Sequence, residues 1–203
     1  MKLFEGKIIM SKGKNRIELK TGDLLFMTHP SCNLSKAIDQ ATQTEKETHF
    51  SHIGIVERDG DEIRVFHSTP QNGVCCEPLD QFLHPDDKEV TVAVYRLKDQ
   101  YLKAIPQAIE SARQILGESY NHSFLKTNPG YYCSEFIYKI YAQDEIFHLD
   151  PMTFKDPGNG EFIPLWIEYY RQLGISIPEG EPGCNPNGMA ASDKLESLGE
   201  LRN

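Results

Sequence analysis

No stretch of this chain approaches the roughly 18 consecutive apolar residues that a membrane-spanning helix needs. Basic charge is also in short supply: 21 Lys and Arg stand against 30 Asp and Glu, for a net charge of −9. That excludes binding modes that neutralise nucleic-acid phosphates over a broad basic surface, so no nucleic-acid partner is expected. The one basic run, Lys12-Gly13-Lys14-Asn15-Arg16, reads as a solvated loop. The five cysteines (Cys32, Cys75, Cys76, Cys133 and Cys184) are odd in number, lack any Cys-x-x-Cys spacing and so form neither a zinc ribbon nor a disulfide framework. The opening residues, Met1 to Met10, break their apolar character with Glu5, Gly6 and Lys7. They lack the core of a secretion signal. The chain is therefore expected in the cytoplasm as it stands, or in the cell envelope if a leader has been removed. Repeats, low-complexity tracts and a convincing internal boundary are all missing, which predicts one domain over residues 1–203.

What is present suits a globular protein: 203 residues, 39% hydrophobic and 25% charged, are enough to enclose a real core. The first half reads as β. The turn Thr21-Gly22-Asp23 leads into the buried run Leu24-Leu25-Phe26-Met27. A polar segment over 31–48 follows, with a short helix capped at Ser35. Residues 50–57 and 62–68 are strand-like, as are 90–97, and a short helix is expected over 78–83. The second half turns helical. Apolar residues recur at helical spacing over 101–116, 133–141 and 165–173. Residues 178–187 read as a loop and 192–198 as a short closing helix.

Asp59-Gly60 between two strand-like runs is a strong hairpin signal. Taken as a two-residue turn, it sets Gly54 opposite Val65 and His52 opposite His67, with β-carbons about 5 Å apart. Phe50, His52, Gly54 and Val56 then share one face. An imidazole pair suits a base and the group that orients it. The other candidate is Cys133, which follows the turn Asn128-Pro129-Gly130 and opens an amphipathic helix. Unpaired N–H groups at that end favour thiolate and also suit an acyl-transfer oxyanion. A zinc site would need His52, His67 and Cys133 together, the same set a catalytic triad would use. His49 and His52, like Cys75 and Cys76, diverge along an extended strand and do not help to build one.

Several of these motifs resemble a known family. Tyr132-Cys133-Ser134-Glu135-Phe136 is similar to the nucleophile motif of NlpC-type cell-wall peptidases. Here the histidine strands come first and the cysteine helix last, an order that resembles the circularly permuted, YiiX-like branch of the papain-like cysteine hydrolases. Gly22-Asp23-Leu24-Leu25, Ser51-His52-Ile53-Gly54-Ile55-Val56, Phe66-His67-Ser68-Thr69-Pro70 and Gly73-Val74 follow the same pattern. The resemblance implies an α+β fold, an antiparallel sheet or partial barrel packed on the Cys133 helix. It implies Cys133 as nucleophile, His52 as general base and His67 as the orienting residue, at a position that is often Glu in the branch. Tyr120-Asn121 stands where Tyr-Asp is expected.

The implied chemistry is amide cleavage through a thioester, with no cofactor and no metal. Expected substrates are a small peptide, a muropeptide or an acyl amide. Lipid contact is compatible as well, because the branch includes lipid-acting members and the stretch from Phe162 to Tyr170 is aromatic enough to line an apolar pocket. A lipid-directed acyltransferase or esterase and a catalytically silent binding module are the alternatives.

Overall fold

The computed structural model describes residues 9–10, 16–28, 33–85 and 90–201. The readings made of Met1 to Ile8, of residues 12–15 and of Cys32 fall outside them. In chain order the elements are β1 (Ile9–Met10), β2 (Arg16–Ile17), β3 (Leu24–Met27), α1 (Asn33–Ala41), β4 (His52–Asp59), β5 (Glu62–Thr69), β6 (Gly73–Pro78), α2 (Leu79–Leu83), β7 (Val92–Leu97), α3 (Ile105–Gln114), α4 (Cys133–Ile140), β8 (Asp150–Pro151), α5 (Pro164–Leu173), β9 (Pro182–Gly183), α6 (Pro186–Ala191) and β10 (Leu195–Leu201). Six strands form one antiparallel sheet in the order β10-β7-β3-β4-β5-β6. An α+β architecture with a helix-covered antiparallel sheet is what the sequence implied.

Period-two alternation divides the core. Leu24, Phe26, Ile53, Ile55, Phe66 and Tyr95 pack with Ala108, Ile109, Phe136, Ile137 and Ile140 of α3 and α4. Leu25, Met27, Val56, Val65, Val92 and Val94 point the other way, onto Phe82 of α2. Phe136, Ile137 and Ile140 are at most 2% exposed. Burial of each contributes roughly 1.5–3 kcal/mol, which pins α4 to the sheet and with it the residue at its first position.

Several expectations require correction. The β4–β5 turn is centred on Gly60-Asp61, with Asp59 paired to Glu62, so Gly54 rather than His52 lies opposite His67. Gly60 takes the first central position with φ of +60°, a conformation glycine adopts without strain. Phe50 does not share the His52 face. The Ser51 amide bonds the Met27 carbonyl at 2.9 Å even though Met27 is the partner of His52, and this irregularity turns Phe50 onto Phe26 and Tyr95. Ser35 is no N-cap: the apolar stripe of α1 reaches back to Leu34, and Ser35 is buried inside the helix. The helix expected over 101–116 divides because Pro106 stands in the first turn of α3, after a 3₁₀ segment at Asp99–Ala104. The last segment is a strand, not a helix. β10 pairs with the open edge of β7 from Leu195↔Leu97 to Leu201↔Val92, a tertiary partner that outweighs local propensity.

Candidate active site

Cys133 occupies the first position of α4, after an extended Tyr132. The approach to the helix is held from three sides. Ser68 Oγ donates to the Tyr131 carbonyl at 2.5 Å, and Ser134 Oγ donates to the Cys184 carbonyl at 3.0 Å. The Tyr132 amide reaches Glu135 Oε2 at 3.4 Å. Glu135 is buried, and Asn121 Nδ2 donates to the same oxygen at 3.1 Å. Asn121 satisfies its remaining polar groups on Leu125 and Ser123. An aspartate at 121 would set a second carboxylate against Glu135, which explains the amide where the resemblance anticipated an acid.

The cysteine meets β4 where the sheet opens. The β4–β5 ladder runs only as far as Gly54↔His67. Past that point Cys133 Sγ lies 3.8 Å from the Ser51 carbonyl, and the Ile53 amide bonds the sulfur. The thiol therefore sits against the backbone on either side of His52.

His52 and His67 share one face of the hairpin as diagonal neighbours. His52 Nε2 lies 2.8 Å from His67 Nδ1, with ring centroids 5.1 Å apart. Phe82 covers both rings, at 5.9 Å from His52 and 5.1 Å from His67. Gly54 makes this cover fit. A Cβ there would meet Val65 Cγ1 at 2.5 Å and Phe82 Cε2 at 3.1 Å. On the far side of His67, Glu77 Oε1 lies 3.2 Å from Nε2.

Cys133, His52 and His67 line one cavity of about 530 Å³, which Glu77 and Tyr120 border as well. A second cavity, of about 290 Å³, opens on the other side of Cys133 and is lined by Phe124, Tyr132, Phe154 and Trp166. Cys133, Ser51 and Ile38 of α1 border both. Asn187 anchors α1 and the chain leading into β4. It is fully buried, with Oδ1 accepting from the Phe50 amide at 2.8 Å and from Thr48 Oγ1 at 3.1 Å, and Nδ2 donating to Thr42 Oγ1 at 3.0 Å and to Asp39 Oδ1 at 3.3 Å.

Residues 18–199 match the family described as permuted papain-like amidase enzyme, YaeF/YiiX, C92 family. The chain belongs to that family. The uncharacterized protein YiiX of Escherichia coli (strain K12) is 31% identical over 123 residues, which span 60% of this chain and 57% of that protein. The crystal structure of metalloprotein yiiX from Escherichia coli O157:H7 superposes with a TM-score of 0.71 at 23% identity, covering 91% of this chain and 98% of that one. The fold is shared, and its permuted order explains why the histidine strands precede the cysteine helix. The family is one of permuted papain-like amidases.

Burial decides the resting state of Cys133. It pushes the thiol up to about 11, against the opposing pull of N–H groups from Ser134, Ile53 and Cys133 itself. The helix end acts in the expected direction, but desolvation outweighs it. Cys75 is likewise raised to about 11 and Cys184 to about 12, by burial first. No described cysteine is therefore a stored thiolate. What sets Cys133 apart is the imidazole it shares a cavity with.

Of the residues read from the sequence, the structure brings Cys133, His52 and His67 together. His49 stays apart, exposed and paired with Asp39 at 3.0 Å. Two contributors were missed, Glu77 and Asn187. β6 carried a usable signal, since an extended run from Gly73 to Pro78 places Cys75 and Glu77 on one face. Asn187 lay in a stretch read as loop and offered none.

Proposed function

We propose that this chain is a cysteine amidase in which Cys133 attacks an amide carbonyl and His52 serves as the base. One observation supports this above the others: the Cys133 thiol contacts the backbone on either side of His52 and shares a cavity with the hydrogen-bonded His52–His67 pair. His52 Nε2 lies 2.8 Å from His67 Nδ1, and the other ring nitrogen, Nδ1, is the one we assign to the thiol proton.

As the sulfur–carbon bond forms, the thiol proton passes to His52 Nδ1 and the carbonyl π electrons move onto oxygen. The Cys133 amide at the N-terminus of α4 faces that developing charge. Collapse of the adduct expels the amine, which takes the proton from His52. Water, deprotonated by the same imidazole, then attacks the thioester, and the thiol leaves with its proton restored. A neutral resting thiol makes the base necessary, because little thiolate exists at pH 7 without it.

The substrate we assign is an N-acyl amide or a small cell-wall peptide, able to enter the cavity of about 530 Å³ beside His52. A panel of muropeptides and N-acyl amides tests this. Wild-type protein should release amine from at least one member, while Cys133→Ala and His52→Ala should not. Release that survives in both variants would refute the assignment. The aromatic cavity on the other side of Cys133 favours a second reading, in which the acyl group is a lipid chain seated against Phe124, Phe154 and Trp166. Long-chain N-acyl amides in the same panel distinguish the two.

The Escherichia coli O157:H7 relative is called a metalloprotein. Among the described residues of this chain no three His, Cys, Asp or Glu side chains gather to hold a metal ion. His67 Nδ1 meets His52 Nε2 at 2.8 Å, and Glu77 Oε1 stands 3.2 Å from His67 Nε2 without a hydrogen bond between them. These residues do not fit a metal.

A further inference from the structure

We propose that the cavity beside His52 receives a positive charge on the leaving half of the substrate, and that Glu77 binds it. The substrate class is then an N-acyl amide whose amine half carries a second, protonated nitrogen. The proposal rests on the amidase reading and deepens it, since that reading leaves the amine half unspecified.

Proton transfer sets the orientation of the substrate. The departing amine takes its proton from His52, so it leaves on the imidazole side of Cys133. That side is the cavity of about 530 Å³, whereas the aromatic cavity of about 290 Å³ opens on the other. The amine half therefore occupies the larger cavity and the acyl half is directed away from it.

The charge of that cavity has one sign. Glu77 is the one carboxylate among its described lining residues, and none of them is a lysine or an arginine. Gln71, Asn72 and Gln81 add side-chain amides, whose oxygens accept from N–H groups. Strand register delivers the carboxylate. His67 and Cys75 are partners, so Glu77, two residues further along β6, stands on the face that carries His67. It lies one imidazole beyond His52, which matches an amine with a short alkyl spacer to its second nitrogen.

This carboxylate is short of donors. Its side chain is 15% exposed, and Oε1 lies 3.2 Å from Nε2 of His67, whose own side chain is 5% exposed. Nε2 nevertheless makes no hydrogen bond, and among the described residues no other group donates to Glu77. A largely buried carboxylate without donors is costly. An ammonium group brings both N–H donors and the opposite charge. Cys75 on the same face does not compensate, because burial first and Glu77 second push its thiol up to about 11 and leave it neutral at pH 7. A leaving half that ends in a carboxylate would meet like charge instead. At longer range the net charge of −9 draws cations toward the protein.

Two measurements on the full chain test the site. The first compares the N-octanoyl amides of 1,4-diaminobutane, pentylamine and 4-aminobutyrate, whose far ends are cationic, neutral and anionic. Wild type should cleave the diaminobutane amide with a kcat/KM about tenfold or more above that of the pentylamine amide, the weight of one charge-assisted hydrogen bond. The aminobutyrate amide should be the slowest. Glu77→Gln should abolish the preference for the cation. A loosened site would slow all three alike and leave the ratios intact, so the ratios report the charge. No preference in wild type, or one that survives in Glu77→Gln, overturns the proposal.

The second measurement needs no turnover. Calorimetric titration of 1,4-diaminobutane into Cys133→Ala should show binding, weakened about tenfold or more when Glu77→Gln is added. Absent binding, or equal binding in the two proteins, overturns the proposal. If wild type releases none of the three amines while diaminobutane binds through Glu77, the amidase reading fails and the cation site stands. If cleavage depends on Cys133 but ignores the far end of the amine, the amidase reading stands and the cation site alone fails.

Discussion

Replacing His52 with alanine isolates what burial alone does to Cys133. The thiol is 5% exposed, and desolvation moves it to about 11 from an ordinary 9.0. At pH 7 a free thiol near 9 is about 1% ionised, and one near 11 is about 0.01% ionised, a difference worth about 3 kcal/mol. Without the imidazole, Cys133 should therefore react with iodoacetamide about a hundredfold more slowly at pH 7 than a free thiol. Its rate should rise roughly tenfold per pH unit up to pH 10 or beyond. The sign follows from the group being an acid. The folded state holds the proton more tightly than the unfolded chain, so folding stability should decline as pH climbs from about 9 through 11. Wild type should react faster than His52→Ala at neutral pH, since His52 can take the proton, and the two should merge near pH 11. The assay is a pH series of alkylation rates on both proteins, with Cys133 followed by peptide mass spectrometry. A His52→Ala profile with its inflection below pH 8, or one that overlays wild type throughout, would refute the reasoning.

Asn187→Ala should lower stability by about 2–3 kcal/mol, because it strips partners from the Phe50 amide and from Thr42 and Thr48 at a fully buried position. Urea denaturation measures the loss, and limited proteolysis should show earlier cutting between residues 42 and 50. Gly54→Val should cost about 1–3 kcal/mol, since even a Cβ there meets Val65 Cγ1 at 2.5 Å. Because the same crowding displaces Phe82 from the histidine rings, turnover should fall further than stability explains. A variant as stable and active as wild type would show that the packing over the rings is incidental.

Much of the site was legible because its signals are local. The turn at Asn128-Pro129-Gly130 and the stripe Phe136, Ile137, Ile140 mark where a helix begins, and that alone puts Cys133 at its tip. The two histidines were placed on one face by alternation, which survives a shift of register by an even number of residues. The register itself was misread because Asp59-Gly60 is the more familiar turn pair, while the chain uses Gly60-Asp61. The rings meet diagonally instead of directly across. What escaped depends on partners remote in sequence. β10 becomes a strand only beside β7, Asn187 matters only because α1 and the entry to β4 close around it, and Glu77 gains meaning only once β6 pairs with β5. The direction of the thiol shift was misjudged for the same kind of reason. The helix end is visible in the sequence, whereas the burial that outweighs it is assembled where α4 packs on the sheet.

The most direct test is to trap the acyl-enzyme. Wild-type protein mixed with N-acyl amides and muropeptides, quenched in acid and examined by intact mass and peptide mapping, should carry one acyl group on Cys133, removable by hydroxylamine as a thioester is. His52→Ala should accumulate none. An adduct on Cys75, Cys76 or Cys184 instead, or turnover persisting in Cys133→Ala, would contradict a thiol at the tip of α4 served by the hairpin imidazole.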